Sequence, residues 1–210
     1  MKYLPVVLVL GFTLSLCNLT SKFKSKGSSG TNSSSSSGDT SGGATAEHGE
    51  ASPAQLAALN GGQQIKWDKQ GISFTVPPQW SETTNESKEF AWRSTGGFEA
   101  ANLIVSISPM DESFPTDVSI QAFYDGAKTR AKNGEVDELK WVEIDGLKGV
   151  QFRESNPEKP DDFRRLQWLA YRKYAGQVQM VNIMLSSTGK GFKEHQDAMY
   201  GVLYSTKIVH

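Results

Sequence analysis

From residue 52 onward, hydrophobic and polar positions alternate in a way that predicts one α+β domain. A period of two, with Leu103, Val105 and Ile107 on one side, is typical of a strand with one buried face. Asp145-Gly146 and Ala175-Gly176 predict two-residue hairpin turns. Strands are predicted at residues 64–68, 72–76, 89–94, 102–110, 139–144, 147–154, 164–174 and 177–186.

Two longer segments have the spacing of amphipathic helices, at residues 119–133 and 190–204. The first has an apolar stripe that includes Ile120 and Phe123, and Gly134 supplies the left-handed residue that ends it. A short helix is predicted between Ser52-Pro53, which suit an N-cap and a first helical position, and Gly61-Gly62. An extended segment at residues 205–209 follows the last helix.

The strands at residues 164–174 and 177–186 carry apolar residues on both faces. In the first of them, Leu166 and Trp168 share one face while Leu169 and Tyr171 share the other. Strands of this kind lie in the middle of a sheet that is covered on both sides. The predicted fold class is therefore α+β, an antiparallel β-sheet covered by helices on both faces, with residues 52–210 forming a single domain.

The charge balance argues against one class of partner. The chain has 210 residues, with 22 basic and 23 acidic side chains and a formal net charge of −1 at pH 7. Nucleic-acid-binding proteins normally carry a clear basic excess, because contacts to phosphates dominate their affinity. We therefore predict no nucleic acid among the partners.

The sequence offers little material for metal or cofactor chemistry. The single cysteine, Cys17, lies ahead of the predicted domain, which excludes a disulfide within the domain and any zinc site built on two or more cysteines. The three histidines, His48, His195 and His210, are too scattered to indicate a shared site. We expect no metal and no cofactor.

The first 17 residues predict a signal peptide. Lys2 precedes an apolar run from residue 4 to residue 16, which is too short to cross a bilayer as a helix. Leu14-Ser15-Leu16-Cys17 resembles the lipobox of bacterial lipoproteins, in which the cysteine becomes lipidated, although Leu16 stands where Gly, Ala or Ser is usual. Cys17 is therefore the predicted lipidation site, and a membrane is the predicted partner at that end of the chain.

Two other outcomes for this leader remain open. Cleavage after Ser15 by an ordinary signal peptidase would release a soluble exported protein. An uncleaved leader would act as an anchor, and the lysines at positions 22, 24 and 26 would then favour the opposite orientation in the membrane. All three outcomes place the protein on the export pathway, and lipidation predicts the cell envelope, on the exported side of a membrane.

Residues 18–51 are predicted to form a disordered tether. They are rich in Ser and Gly and contain almost no large apolar residue, so they bury too little surface to offset the entropy of ordering. A Gly/Ser chain of roughly 30 residues has a root-mean-square span near ~30 Å. Such a tether would let the domain move above a membrane without being held against it.

The remaining chemical candidates have simpler structural interpretations. The segment 187–191 superficially resembles a phosphate-binding loop, but Met184 and Gly191 stand where the motif requires Gly and Ser or Thr; Ser187 or Thr188 is expected to cap the last helix instead. Asp161-Asp162 beside Arg164-Arg165 is interpreted as a solvated loop, His195 as a histidine at the core edge, and Trp80 as a core residue or the rim of a pocket. No catalytic residues are predicted.

Several short motifs, in this order along the chain, resemble PsbP-like domains. They are Ile72-Ser73-Phe74-Thr75-Val76-Pro77 followed by Trp80, then Ile144-Asp145-Gly146-Leu147-Lys148-Gly149 with Gln151-Phe152, and finally Tyr204-Ser205-Thr206-Lys207-Ile208. The resemblance covers roughly residues 64–209. It implies an α/β/α sandwich shared by the photosystem II subunit PsbP, a Ran-binding import factor and bacterial envelope lipoproteins. Members of this superfamily mostly bind or assemble other proteins, so the resemblance implies a protein that is not an enzyme.

The expected function is that of a membrane-anchored envelope lipoprotein whose PsbP-like domain binds a protein partner or a small ligand. If the source is photosynthetic, an extrinsic photosystem subunit or assembly factor is the alternative. A secreted hydrolase is a further alternative, although no pairing of a nucleophile with a base is visible in the sequence.

Overall fold

The computed structural model describes residues 45–210. The leader, Cys17 and the tether as far as residue 44 lie outside the described residues. Three α-helices are present in the described part: α1 (Pro53–Ala58), α2 (Thr116–Lys132) and α3 (Gly189–Tyr204).

The strands form two sheets. The larger has the order β1-β7-β8-β9-β10-β6-β5-β4, and the smaller has the order β11-β3-β2. The strands are β1 (Glu47–His48), β2 (Gln63–Trp67), β3 (Ile72–Val76), β4 (Ser81–Asn85), β5 (Glu89–Arg93), β6 (Asn102–Met110), β7 (Val136–Ile144), β8 (Leu147–Glu154), β9 (Phe163–Tyr174), β10 (Gln177–Thr188) and β11 (Lys207–Ile208).

The larger sheet is antiparallel at every pairing except that of β1 with β7, which is parallel. Helix α3 packs on one face against β9 and β10, and the smaller sheet lies on the same side, with β3 against α3. Helix α2 packs on the other face against β7, β8 and β9. The predicted α+β class, a largely antiparallel sheet with helices on both faces, is confirmed.

Most of the apolar core lies between the larger sheet, α3 and the smaller sheet. Trp168, Phe192 and Met199 are completely buried there, and Trp67 and Phe74 of the smaller sheet extend the same cluster. A second, smaller cluster lies under α2. Three tryptophans that lie in strands, Trp92, Trp141 and Trp168, are all buried.

The local signals for turns and caps were interpreted correctly. Asp145-Gly146 and Ala175-Gly176 all have positive φ values, as a two-residue hairpin turn requires. Ser52 and Gln55 form a capping box at α1, with Pro53 as the first helical residue. Thr188 caps α3 by accepting a hydrogen bond from the backbone N–H of Gly191 at 3.1 Å.

Two strands escaped prediction, and each has a physical reason. β1 lies within the segment assigned to the disordered tether; its two residues pair with Val142 and Glu143, so the ordered chain begins ahead of Ser52. Backbone pairing and side-chain contacts of Glu47 with Lys140 and of His48 with Glu143 stabilise it, and it has no apolar pattern. β4 is an edge strand of the larger sheet with the polar sequence SETTN, and polar edge strands carry no hydrophobic alternation.

The second apolar face of β10 is less covered than the sequence predicted. Val178, Met180 and Met184 are only half-buried, whereas Val181, Ile183 and Leu185 on the opposite face are fully buried. The reason is the position of α2, which packs across β7 to β9 and leaves β10 beyond its edge.

Candidate functional site

A groove follows helix α3 on the side that faces β7 and β8. It consists of a first cleft of about 640 Å³ near the start of the helix and a second cleft of about 390 Å³ near its end. Arg153 and Gln196 line both clefts and connect them. We call this feature the α3 groove; its polar wall is formed by Asp137, Glu138, Lys140, Arg153, Arg164, Lys190, Lys193, Gln196, Tyr200 and Tyr204.

The alternation of β7 explains why charged side chains meet here. Alternate residues of a strand share a face. Near the hairpin, Val142 and Ile144 face the core beneath α3, and on the same face Glu138 and Lys140 follow farther along the strand. This face of the sheet therefore changes from apolar to charged where α3 leaves room for solvent.

A register irregularity places two adjacent acids in the groove. The pairing of β7 with β8 shifts between Val136 and Glu138. In a regular strand Asp137 and Glu138 would point to opposite faces, but a bulge redirects the side chain beside it. Both carboxylates consequently reach Arg153, whose Nε donates to Asp137 at 2.7 Å and whose Nη1 lies 3.5 Å from Glu138.

Asp137 holds two arginines at the first cleft. Its Oδ1 accepts from Arg153, and its Oδ2 accepts from Nη2 of Arg164 at 2.6 Å. Arg164 is 5% exposed and also donates from Nε to the backbone oxygen of Glu154 at 2.7 Å. Its guanidinium lies over the ring of Phe192, 4.6 Å from the centroid. Arg164 is therefore a buried member of the α3 groove, not part of a solvated loop as the sequence suggested.

The neighbouring Arg165 points the other way. Its guanidinium donates to Glu154 on the opposite face of the sheet, at 2.5 Å from Nη2, and Arg130 of α2 donates to the same carboxylate at 2.9 Å. Adjacent residues of an extended strand point to opposite faces, and the two arginines follow this rule.

The second cleft contains a chain of hydrogen bonds from strand to helix. Glu138 accepts from the Tyr200 hydroxyl at 2.9 Å and from the side-chain amide of Gln151 at 2.6 Å. The Tyr204 hydroxyl donates to the amide oxygen of Gln151 at 3.1 Å, and Gln151 itself is completely buried. These bonds fix the rotamers of the wall before any ligand arrives.

The protonation states of Tyr200 and Arg153 suit the positioning of a ligand better than the transfer of a proton. Burial, together with the charge of Glu138, raises the pKa of Tyr200 well above its ordinary value, so this hydroxyl remains protonated at neutral pH. Burial alone would lower the pKa of Arg153, but hydrogen bonding to Asp137 and the neighbouring charges of Asp137 and Glu138 together raise that pKa. The groove thus presents a neutral phenol and fixed guanidinium charges.

Within residues 45–210, no group of three or more His, Cys, Asp or Glu residues is arranged to hold a metal ion. Nor is any helix of that range long and apolar enough to span a membrane. Cys17, the predicted lipidation site, is not among the described residues.

The structure brings together two residues that the sequence singled out separately. Trp80 and His195 line a third cleft of about 220 Å³, alongside Pro77 and Pro78. Trp80 is 5% exposed and His195 is half-buried, so Trp80 is a core residue whose edge reaches a pocket rim. His195 lies at the core edge, as expected. Ser94 lines the same cleft, but its hydroxyl donates to the backbone oxygen of Thr95 at 2.9 Å, and no hydrogen bond among the described residues joins it to His195.

The α3 groove itself was not foreseen from the sequence. Its residues are separated widely, from Asp137 to Tyr204, and no local motif joins them. One signal was present: Gln151 and Arg164 are buried polar residues that share their strand faces with apolar residues such as Leu147 and Leu166. Such positions mark buried polar networks.

These features define an α+β sandwich with a polar groove whose wall is fixed by hydrogen bonds. No protein-family model matches the sequence, and no curated protein sequence matches it. Solved structures do match. LpqN of Mycobacterium tuberculosis, described as involved in cell envelope biogenesis, has 11% identity and a TM-score of 0.52, covering 71% of this chain and 91% of that one.

Two other solved structures overlap less closely. Cyanobacterial PsbP from Synechocystis sp. PCC 6803 has 14% identity and a TM-score of 0.47, covering 70% of this chain and 92% of that one. The Ran-binding protein Mog1p of Saccharomyces cerevisiae has 12% identity and a TM-score of 0.42, covering 70% and 95%. Likeness at such identities concerns the fold alone. The observed element order and the LpqN match agree with the fold that the sequence motifs implied, an α+β sandwich.

Proposed function

We propose that this protein is a lipid-anchored envelope protein whose PsbP-like domain binds a protein partner or a small ligand in the α3 groove, without catalysing a reaction. The observation that carries the proposal is the groove itself. Its first cleft, at about 640 Å³, has the size of a ligand site, and its charged wall is held by mutual hydrogen bonds. A wall fixed in advance loses little entropy on binding.

Binding suits the chemistry of this wall better than catalysis does. Tyr200 is held protonated, and Asp137 is occupied by two guanidinium groups. A general base needs a lone pair directed at a substrate and a pKa near the working pH. The groove residues instead present donors and charges in fixed positions.

The anchor rests on the leader and the tether. A lipid at Cys17 would confine the domain to a membrane surface, and confinement raises the effective concentration of a partner at that surface. The fold shared with LpqN, a protein described as involved in cell envelope biogenesis, supports the same location.

The anchor is tested by metabolic labelling with palmitate and by membrane fractionation. We expect the wild-type chain to incorporate label and to sediment with membranes, and the Cys17→Ala chain to do neither. Equal labelling of the two chains would exclude lipidation at this residue.

The role of the α3 groove as the binding site is tested by filling it with a large side chain. Gln196 lines both clefts, so Gln196→Trp would fill the groove, while Asp197→Trp places the same side chain on the exposed helix surface next to it. After crosslinking in cells, we expect partners captured by wild type and by Asp197→Trp to be lost from Gln196→Trp. Identical capture by all three chains would refute the α3 groove as the binding site.

A further inference from the structure

The first cleft of the α3 groove has more cationic than anionic groups on its wall. Arg153, Arg164, Lys190 and Lys193 line it, and Asp137 is the single carboxylate among its lining residues. Asp137 is shared by the two arginines, and Arg153 also lies 3.5 Å from Glu138, which lines the second cleft. Lys190 is paired with Glu99 at 2.8 Å, outside the lining. Lys193 makes no ion pair within residues 45–210.

Both arginines retain a terminal nitrogen that is free to bind. Arg164 uses Nε and Nη2, and Arg153 uses Nε and Nη1; neither Nη1 of Arg164 nor Nη2 of Arg153 donates to another described residue. Among described residues, the indole nitrogen of Trp92 is the buried side-chain polar atom that lacks a partner. The two free arginine nitrogens are therefore open to solvent, and both residues line the first cleft.

The start of helix α3 contributes side chains to this cleft, not free backbone donors. The N–H of Gly189 donates to the backbone oxygen of Asp162 at 3.0 Å, and the N–H of Lys190 donates to that of Pro160 at 3.2 Å. Recognition in the cleft consequently depends on the two guanidinium groups and on the ammonium group of Lys193.

We propose that the first cleft binds the phosphate group of a phosphorylated small molecule or headgroup, held by Arg153, Arg164 and Lys193. Guanidinium groups bind phosphate through charge-assisted hydrogen bonds, and a phosphate offers three oxygens where a carboxylate offers two. Because Asp137 is shared by two arginines, its single negative charge does not neutralise both of them. A bound phosphate group supplies the missing negative charge.

The inference deepens the proposed function, and rests on it, by naming the class of ligand. The cleft, at about 640 Å³, is much larger than a phosphate group, so the rest of the ligand is expected to lie toward Gln196 and the second cleft. A soluble phosphorylated compound and the headgroup of a phospholipid share this chemistry, and the experiment separates them.

The test is isothermal titration calorimetry of the full chain carrying Cys17→Ala, with inorganic phosphate and then glycerol 3-phosphate at constant ionic strength. We expect saturable binding of one equivalent, tighter for glycerol 3-phosphate. Lys193→Gln removes an exposed, unpaired charge and is expected to weaken binding about tenfold. Lys128→Gln, the same change on the exposed surface of α2, is expected to leave binding unchanged.

A second variant tests the geometry of the arginine. Arg153→Lys retains the positive charge but removes the planar guanidinium group, which can donate two parallel hydrogen bonds to a phosphate. We expect it to weaken binding more than Lys193→Gln does. Binding to vesicles of phosphatidylglycerol, compared with binding to vesicles of phosphatidylcholine, then distinguishes a lipid headgroup from a soluble ligand. Binding to the former that glycerol 3-phosphate competes away indicates a lipid headgroup, and binding of glycerol 3-phosphate alone indicates a soluble ligand.

Two results would overturn the inference. One is the absence of saturable binding with both phosphate probes. The other is binding that is equally strong in Lys193→Gln and Lys128→Gln, because it would then occur elsewhere. If phosphate fails while Gln196→Trp still abolishes partner capture, the proposed groove function stands and the ligand class alone is rejected.

Discussion

Strand β9 carries a buried arginine near each end, and the two are satisfied in different ways. Arg164 and Arg172 are an even number of positions apart, share the face that packs beneath α3, and are 5% and 4% exposed. Arg164 donates to the carboxylate of Asp137 and opens onto the first cleft. Arg172 donates to neutral oxygens only.

The contacts of Arg172 show how a buried guanidinium is held without a carboxylate. Its Nε donates to the Gln179 side chain at 3.1 Å, its Nη1 to the backbone oxygen of Val209 at 2.8 Å, and its Nη2 to the backbone oxygen of Gln70 at 2.7 Å. The group also lies 4.3 Å from the ring centroid of Tyr174. Burial lowers the pKa of Arg172, in accordance with a charge removed from water.

The comparison separates a structural arginine from one that is available to a ligand. Every guanidinium nitrogen of Arg172 is engaged, and its acceptors belong to three segments that it joins: the turn after β2, strand β10 and the C-terminal tail. Arg164 leaves one nitrogen uncommitted beside solvent. We therefore expect substitutions at the Arg172 end to affect folding most, and substitutions at the Arg164 end to affect binding.

The largest expected effect is that of Arg172→Met. It leaves four oxygens without this donor, two of them backbone oxygens, and an unsatisfied buried acceptor costs about 1–3 kcal/mol. Part of this loss is offset because the buried charge is removed as well. We expect the free energy of unfolding to fall by about 2–4 kcal/mol, measured by urea denaturation. A decrease of less than about 1 kcal/mol would contradict the role of Arg172 in connecting these three segments.

Arg164→Met is the matched change at the other end of the strand. Asp137 keeps its hydrogen bond from Arg153 and its carboxylate is 34% exposed, so water can replace the lost donor. We expect a loss of about 1–2 kcal/mol in the free energy of unfolding, together with a loss of phosphate binding that Arg172 variants with intact folding do not show. If Arg164→Met destabilises the fold more than Arg172→Met does, the comparison fails.

Glu154 lies near the Arg164 end of β9, and its carboxyl group makes the stability contributed by that end depend on pH. Burial alone would raise the pKa of Glu154, but the hydrogen bonds and positive charges of Arg165 and Arg130 together lower that pKa. A carboxyl group with a lowered folded-state pKa stabilises the fold above its unfolded-state pKa, about 4.3, and this contribution is lost as the pH falls through the folded-state value.

We therefore expect Glu154→Gln to lose about 1 kcal/mol of stability at pH 7, with the difference from wild type shrinking as the pH falls below about 4. The measurement is urea denaturation at a series of pH values. Glu158→Gln, which removes an exposed carboxylate in the loop that follows Glu154, serves as control and should follow wild type throughout. A Glu154→Gln difference that is constant with pH would exclude the ion pairs as its source.

Much of the fold was predictable because its signals are local. The bounds of β3, β6 and β8 agree with the predicted segments, since each strand lies between clear turn or proline signals and carries an alternating pattern. β4 and β1 were missed because a polar edge strand is defined by its neighbour and not by its own residues.

The candidate site was not predictable, for a different physical reason. The groove depends on the shift in register between Val136 and Glu138, which turns two adjacent acids to one side. A one-residue irregularity leaves no mark in the hydrophobic pattern. Likewise, nothing near Arg172 in sequence identifies Gln70 as its partner, because 102 positions separate them. Such pairings arise only when the two sheets come together.

The smallest expected effect concerns the hairpin next to Arg172. Ala175 has φ +50, a left-handed conformation that costs a residue with a Cβ about 1 kcal/mol. In the other hairpin, Asp145 occupies the equivalent position at φ +51, and short polar side chains tolerate this region. Ala175 is exposed, so a larger side chain meets no neighbour.

We expect Ala175→Asn to raise the free energy of unfolding by about 0.5 kcal/mol, while Gly176→Ala, at φ +77, lowers it by about 1 kcal/mol. Both are measured by thermal denaturation of the full chain. Because the turn lies beyond the last contact of Arg172, stabilising it should add to the effect of Arg172→Met without altering that effect. Non-additive changes in the free energy of unfolding would show that the turn and Arg172 act as one unit. Phosphate binding, at the far end of β9, should be unchanged in both turn variants.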